Sequence, residues 1–150
     1  MHPIKENMIN LDHIDKQIIA ILQQKGRDSA SHIAIQIGMS VPAVTDRIRK
    51  LQESKVITGF QAIVDPRMIG LDVSAVITII SESSEYYTEV VESAKNTLEV
   101  IQCFTTTGNG SHVLIVQMEN TRSLEKLLRQ IQAWPGVMRT ETQIILSNYK

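Results

Sequence analysis

The hydrophobic period of this chain changes once, near Val56, which points to an all-helical head followed by a mixed strand-and-helix body. Before the change, Leu11, Ile14, Ile18, Ile21 and Leu22 recur at helical spacing, with Asp12 placed to cap the start and Gly26 ending the run. Ser29 is the N-cap expected for a second, short helix, in which Ile33, Ala34 and Ile37 share a face and Gly38 is the stop. Ser40 then caps a third helix that tolerates Pro42 in its first turn and turns Val44, Ile48 and Leu51 inward. Three helices with such tight connections are too compact for a coiled coil.

From Val56 to Val64 the chain alternates imperfectly and reads as one or two short strands, until Asp65-Pro66 breaks the pattern. Arg67–Leu71 is a connector, so the expected domains are residues 1–65 and 66–150. In the second, Val73–Ser81 is a β-branched strand and Tyr87, Val90, Val91, Ala94 and Leu98 form a helical stripe. Val100–Thr107 is a strand, Gly108-Asn109-Gly110 a turn, and His112–Met118 another strand. Leu124, Leu127, Leu128 and Ile131 mark a second helix with Glu125 and Arg129 as an i, i+4 pair, and Pro135-Gly136 leads into a last strand, Val137–Ser147. The order βαββαβ is the ferredoxin-like pattern, in which two helices cover one face of a four-stranded sheet. The other face is left bare, a natural dimer surface.

Composition narrows the function classes. With 150 residues, 43% hydrophobic and 21% charged, the chain is globular, of one domain or two small ones. A net charge of −1 excludes a polycation that coats nucleic acid by bulk charge, but not a local basic patch. The average hides a split: residues 1–65 hold eight bases against seven acids, residues 66–150 seven against nine. The single cysteine, Cys103, cannot close an intrachain disulfide and reads as a buried small hydrophobe. The longest apolar stretch, Val73–Ile80, is interrupted by Ser74 and Thr78 and is far short of the ~20 residues that span a membrane. With no apolar leader core before the first charges, the cytoplasm is the expected location.

The segment Ser31–Lys50 carries the clearest functional signal. Two helices joined through Gly38-Met39-Ser40, with small Ala34 inside the first, match a DNA-binding helix-turn-helix. On the third helix Pro42, Ala43, Asp46, Arg49 and Lys50 face outward, with Val41 and Arg47 flanking the apolar stripe. A reading helix needs that division: one face to dock and one short polar or small face for base edges and phosphates. The expected DNA contacts are therefore Ser40, Val41, Ala43, Asp46, Arg47, Arg49 and Lys50, and the β segment after them is where a winged version of the motif puts its wing. A basic helix face alone would more often be merely solvated; the three helices and tight turn favour the DNA reading.

Other constellations are weaker. His2, His13, His32 and His112 have no metal-ligand spacing and only one cysteine to help them, so no metal site is expected. His112 reads as a partly exposed strand histidine, and Trp134 and Tyr87 as core or interface. No nucleophile elbow or phosphate-binding loop is present, which argues against an enzyme and against a bound cofactor.

The ordered motifs Leu11-Asp12-x-Ile14-Asp15-x-x-Ile18-Ile19, Gly26-Arg27, Ile37-Gly38-Met39-Ser40, Arg47-Ile48-x-x-Leu51, Val56-Ile57, Gly70-Leu71, Pro135-Gly136-Val137 and Thr140-x-Thr142 resemble the Lrp/AsnC (feast/famine) family of transcription regulators over nearly the whole chain. The resemblance implies an α+β protein: a winged helix-turn-helix, a β linker and a ferredoxin-like domain that binds an effector and assembles the protein. It also implies homodimers that build tetramers or octamers, double-stranded DNA as partner, and modulation by an amino acid or related metabolite.

At the turn between the second and third strands of the body, the family is similar to Gly-x-x-Asp-aromatic, whereas this chain has Gly108-Asn109-Gly110-Ser111-His112. A serine hydroxyl offers an ammonium only a neutral hydrogen bond, roughly half as strong as a charge-assisted one. The amides of Asn109, Gly110 and Ser111 can still cradle a carboxylate. Equally, the segment is readable as a plain hairpin turn. With Thr140, Glu141 and Thr142 bordering the cleft, these eight residues are the expected effector site. Two further readings remain open: an amino-acid-binding regulatory subunit that never meets DNA, and an architectural protein that wraps DNA with little sequence preference.

Overall fold

A computed structural model describes residues 9–149, and the chain divides into two compact units between Ile63 and Val64. In the first, α1 (His13–Gln24), α2 (Ala30–Ile37) and α3 (Val41–Glu53) follow one another closely. Each begins on the residue expected to cap it. Asp12 and Asp15 form a reciprocal capping box, the Asp15 amide donating to Asp12 at 2.8 Å and the Asp12 amide to Asp15 at 3.2 Å. Ser29 accepts from the His32 amide and Ser40 from the Ala43 amide. Between α2 and α3 the backbone enters the left-handed region at Gly38 (φ 69°), where a Cβ would be strained, and the Met39 amide reaches back to the Ala34 carbonyl.

The core of this unit is Ile18, Leu22, Ile33, Ala34, Val44 and Leu51, flanked by half-buried Ile14, Ile37 and Ile48. Burying each large aliphatic chain gains about 1.5–3 kcal/mol over leaving it in water, so this cluster is what turns three short helices into one body. After α3 the chain turns through Lys55 (φ 61°), and the Ile57 amide bonds the Leu51 carbonyl.

Residues 56–64 depart from expectation. No strand forms there, and the head therefore has no wing among the described residues. Val56 and Ile57 pack on the helical core, but from Thr58 onward the side chains are exposed, Ile63 at 98%. A β-branched run has strand chemistry, yet a strand exists only beside another strand, and none lies alongside.

The second unit opens with a short 3-10 turn, Pro66–Ile69, then β1 (Val73–Ser81), α4 (Tyr87–Lys95), β2 (Val100–Thr105), β3 (His112–Met118), α5 (Thr121–Gln132) and β4 (Val137–Ile144). The sheet order is β2-β3-β1-β4, with every neighbouring pair antiparallel, as a ferredoxin-like βαββαβ chain requires. Ala75, Ile77 and Ile79 of β1 and Leu114, Val116 and Met118 of β3 point to the helices. There they meet Val90, Ala94, Leu124, Leu127, Ile131 and Trp134. Val76, Thr78, Ile80, Val113 and Ile115 alternate onto the other face, which none of the described elements of the unit covers.

Three local expectations are corrected. Leu98 does not belong to the α4 stripe: the helix ends at Lys95 and Leu98 lies 96% exposed in the turn beyond. Strand β2 stops at Thr105, where its pairing partner β3 begins at His112. Strand β4 ends at Ile144, although the Ile145 amide still bonds the Ser74 carbonyl. Among the described residues no helix is long and apolar enough to cross a membrane.

Candidate nucleic-acid interface and effector loop

Helix α3 is anchored along one side by Val44 and Leu51 and presents its opposite side to solvent. Ser40 and its amide-accepting hydroxyl open the helix, Pro42 sits in the first turn where no N–H is needed, and Val41 and Ala43 follow as small or apolar surface. Thr45 returns its hydroxyl to the Val41 carbonyl at 2.9 Å. One turn on, Asp46 is shared by two bases, with Lys50 Nζ at 2.8 Å and an Arg49 nitrogen at 2.6 Å. Arg49 also reaches Glu53 at 2.6 Å. Lys50 first and Arg49 second hold the Asp46 carboxyl below its ordinary range, so it stays charged. All of these pairs lie within α3 and are well exposed, Lys50 at 67% of its side chain. Exposed pairs of this kind are worth little to the fold, so either base can exchange Asp46 for another anion at small cost.

Arg47 behaves differently from its neighbours. Expected at the DNA, it turns toward α1, where Nη1 lies 2.7 Å from both Asp12 and Asp15. Its side chain is 29% exposed, and these two carboxylates raise its already high pKa. The capping box is a local pattern, legible in sequence; its contact with Arg47, more than thirty residues away, is not. Beside them a groove of about 490 Å³ runs between α1 and α3, lined by Leu11, Met39, Ala43, Asp46 and Lys50 among others. A second feature missed in sequence is a polar cluster on α2, where Asp28 holds the His32 ring at 2.5 Å and Gln36 at 3.3 Å.

The turn 108–110 folds back on β1. A Cβ at Gly110 would lie 2.3 Å from the Thr78 methyl and 3.3 Å from the Ile79 carbonyl, so only glycine fits without displacement. The Ser111 amide donates to the Ile79 carbonyl at 2.8 Å, which removes it from the expected carboxylate cradle and leaves the amides of Asn109 and Gly110. The Ser111 hydroxyl also points inward, 2.6 Å from Ser81 Oγ, 2.9 Å from His112 Nδ1 and 3.3 Å from the Ile79 carbonyl.

His112 is not the partly exposed strand residue expected. It is 0% exposed, in register with the core-facing residues of β3, and its ring packs T-shaped against that of Tyr87, the ring centres 4.8 Å apart. Burial pushes its pKa below the ordinary 6.5, and Nε2 has no hydrogen-bond partner. Burial therefore favours the neutral ring over the charged one. Across β1, Thr140 pairs with Ile79, so it stands at the same end of the sheet as the turn. Thr142 lies further along, opposite Ile77, while Glu141 faces the uncovered side and pairs with Arg139 at 3.2 Å. Gly108, Asn109 and Thr140 are thus brought to one end of the sheet. Ser111 and His112 lie beneath that end as its support.

These features have counterparts in known proteins. Residues 11–52 match the AsnC-type helix-turn-helix domain, and residues 74–150 the Lrp/AsnC ligand binding domain. The chain is 35% identical over 142 residues to the HTH-type transcriptional regulator FL11 of Pyrococcus horikoshii, covering 95% of this chain and 93% of that one. It is 32% identical to the regulatory protein AsnC of Haemophilus influenzae, covering 94% of this chain and 95% of that one. Among solved structures, the feast or famine regulatory protein of M. tuberculosis complexed with L-methionine superposes with a TM-score of 0.87 at 32% identity, over 93% of this chain and 95% of that one. Both halves of the chain and their order thus agree with one group of proteins, and the chain belongs to the Lrp/AsnC family of transcription regulators.

Proposed function

We propose that this regulator reads DNA with the outward face of α3: Ser40, Val41, Ala43 and Asp46 at base edges and backbone, Arg49 and Lys50 on phosphates. The observation that carries the reading is the shared carboxylate of Asp46, which holds two bases on the exposed side of a capped helix in a helix-turn-helix. A duplex phosphate can take the place of that carboxylate without moving the helix. Residues 1–65 form the reading head, and residues 66–150 the effector and assembly domain. One head offers few contacts, so a homodimer presents two heads to half-sites one helical turn or a multiple apart. The bare sheet face, with Val76, Ile80, Val113 and Ile115, is the surface on which two copies meet, and dimers associate further into tetramers or octamers. A regulator that works on DNA in this way acts in the cytoplasm. No cofactor takes part.

The effector is an amino acid or related metabolite, held near the amides of Asn109 and Gly110 with Thr140 at the border. The solved relative that carries L-methionine supports this class of ligand. Enrichment of binding duplexes from a random pool, followed by titration over a range of salt, tests the DNA reading. Log affinity is expected to fall linearly with log salt, and a flat response rejects contact with phosphates. A thermal-shift screen of L-methionine and the other amino acids tests the effector, because any ligand of the folded state raises the melting point by mass action. An unchanged melting point across the screen rejects an amino-acid effector.

A further inference from the structure

The pairs of Arg49 and Lys50 stay within α3, at i, i+3 or i, i+4 spacing, whereas that of Arg47 joins two helices. Each carboxylate of the α1 capping box divides its oxygens in the same way. Asp12 gives Oδ1 to the Asp15 amide and Oδ2 to Arg47; Asp15 gives Oδ2 to the Asp12 amide and Oδ1 to Arg47. Four oxygens and the two N–H groups of Nη1 close one network. The apolar contacts of Val44 and Leu51 press α3 onto the core, but such contacts have no direction and tolerate rotation of the helix about its axis. A charge-assisted hydrogen bond has direction, and two of them from one nitrogen to two fixed carboxylates set that rotation.

We propose that Arg47 is a positioning residue for DNA reading. Clamped by Asp12 and Asp15, it fixes the rotation of α3, so that Ala43, Asp46 and Lys50 face the DNA. It does not itself bind phosphate. The proposal rests on α3 being the reading helix.

The positioning and phosphate-binding roles predict opposite results when an acid is removed. Were the local charge all that mattered, Asp15→Asn would strip a negative charge from the head and tighten DNA binding. A clamp predicts the reverse. Asn keeps an oxygen that can accept from the Asp12 amide, and Asp12→Asn preserves a good N-cap, so both variants weaken the clamp while sparing the helix start.

The test uses the full chain and two probes, a duplex enriched from a random pool and one scrambled duplex of equal length. Asp12→Asn, Asp15→Asn and Arg47→Met are titrated against both over a range of salt, with circular dichroism melts run alongside. Positioning predicts that affinity for the enriched duplex falls about tenfold in Arg47→Met and less in the two Asn variants, while the scrambled duplex is bound nearly as before. The slope of log affinity against log salt stays unchanged, since no phosphate contact is lost.

Two results overturn the proposal: Asp12→Asn and Asp15→Asn variants that bind the enriched duplex as tightly as the parent or more so, or a slope that drops by about 0.9 in Arg47→Met, the mark of a phosphate contact. A loss of both probes in proportion to a loss of folded protein also overturns it in favour of a purely structural role. Lys50→Ala is the separate control. If it leaves affinity and slope untouched, the reading of α3 as the DNA helix has failed, whatever Arg47 does.

Discussion

The two units of this protein handle polar groups in opposite ways. On the outward face of α3 the charges are exposed, paired at close range and replaceable: Asp46 holds Arg49 and Lys50 on a surface open to water. At the end of the sheet the polar groups are not ion-paired and lie largely out of water: half-buried Ser81 and buried Ser111 and His112 form a hydrogen-bonded row beneath the 108–110 turn. Exposed ion pairs contribute little stability and can be traded for a ligand; buried networks lose heavily when one member is removed. The contrast predicts that substitutions of Arg49 and Lys50 alter binding and spare the fold, while substitutions of Ser111 and His112 loosen the fold.

Four measurements sharpen or break that contrast. The largest effect is expected in the body core: Ile77→Ala removes a fully buried chain beneath both helices and should cost about 2–5 kcal/mol in chemical denaturation. Gly110→Ala comes next, about 1–3 kcal/mol, because its Cβ would strike Thr78. A melting point equal to the parent's would show that the turn is not held against β1. Ser40→Ala should cost about 1 kcal/mol by loss of the α3 cap, and should also weaken DNA binding. The smallest effect on stability is expected for Lys50→Ala, with no shift in melting point but a salt slope for DNA lower by about 0.9. A marked loss of stability there would erase the contrast.

The same contrast has a pH signature. Since burial keeps the His112 pKa below 6.5, the unfolded chain binds a proton more readily than the folded one. The stability that the neutral ring contributes is complete above pH 6.5 and is lost as pH falls from there toward the lower folded value. Comparison of melts with His112→Phe, which cannot titrate, isolates this loss. Equal pH dependence in the two proteins would show that burial of His112 does not set this loss.

Much of this was legible in sequence because it is local. Asp12, Ser29 and Ser40 announce their helices through a side chain that reaches three residues ahead, and β1 and β3 announce themselves by composition and by period. The period of two also held unread information: His112 stands in phase with Leu114, Val116 and Met118, which would have placed it inside. What was not legible depends on distant partners. Residues 56–64 have strand chemistry without a neighbouring strand, and Arg47 has the look of a phosphate ligand until Asp12 and Asp15 fold against it. The groups nearest a ligand are hard to read for the same reason, since the same basic side chain can serve the fold or the partner.

The carboxylate of Asp46 has one more consequence. A head whose two outward bases already hold a tethered anion binds polyanions at large somewhat less tightly than free bases would, because each phosphate must first displace that anion. Random stretches of DNA would then detain the protein only briefly, and sites whose base edges add to the exchange would retain it. A single acid in the middle of the reading surface would thus favour quick departure from wrong addresses, which Asp46→Asn would slow: its dissociation from scrambled DNA should lengthen more than that from a selected site.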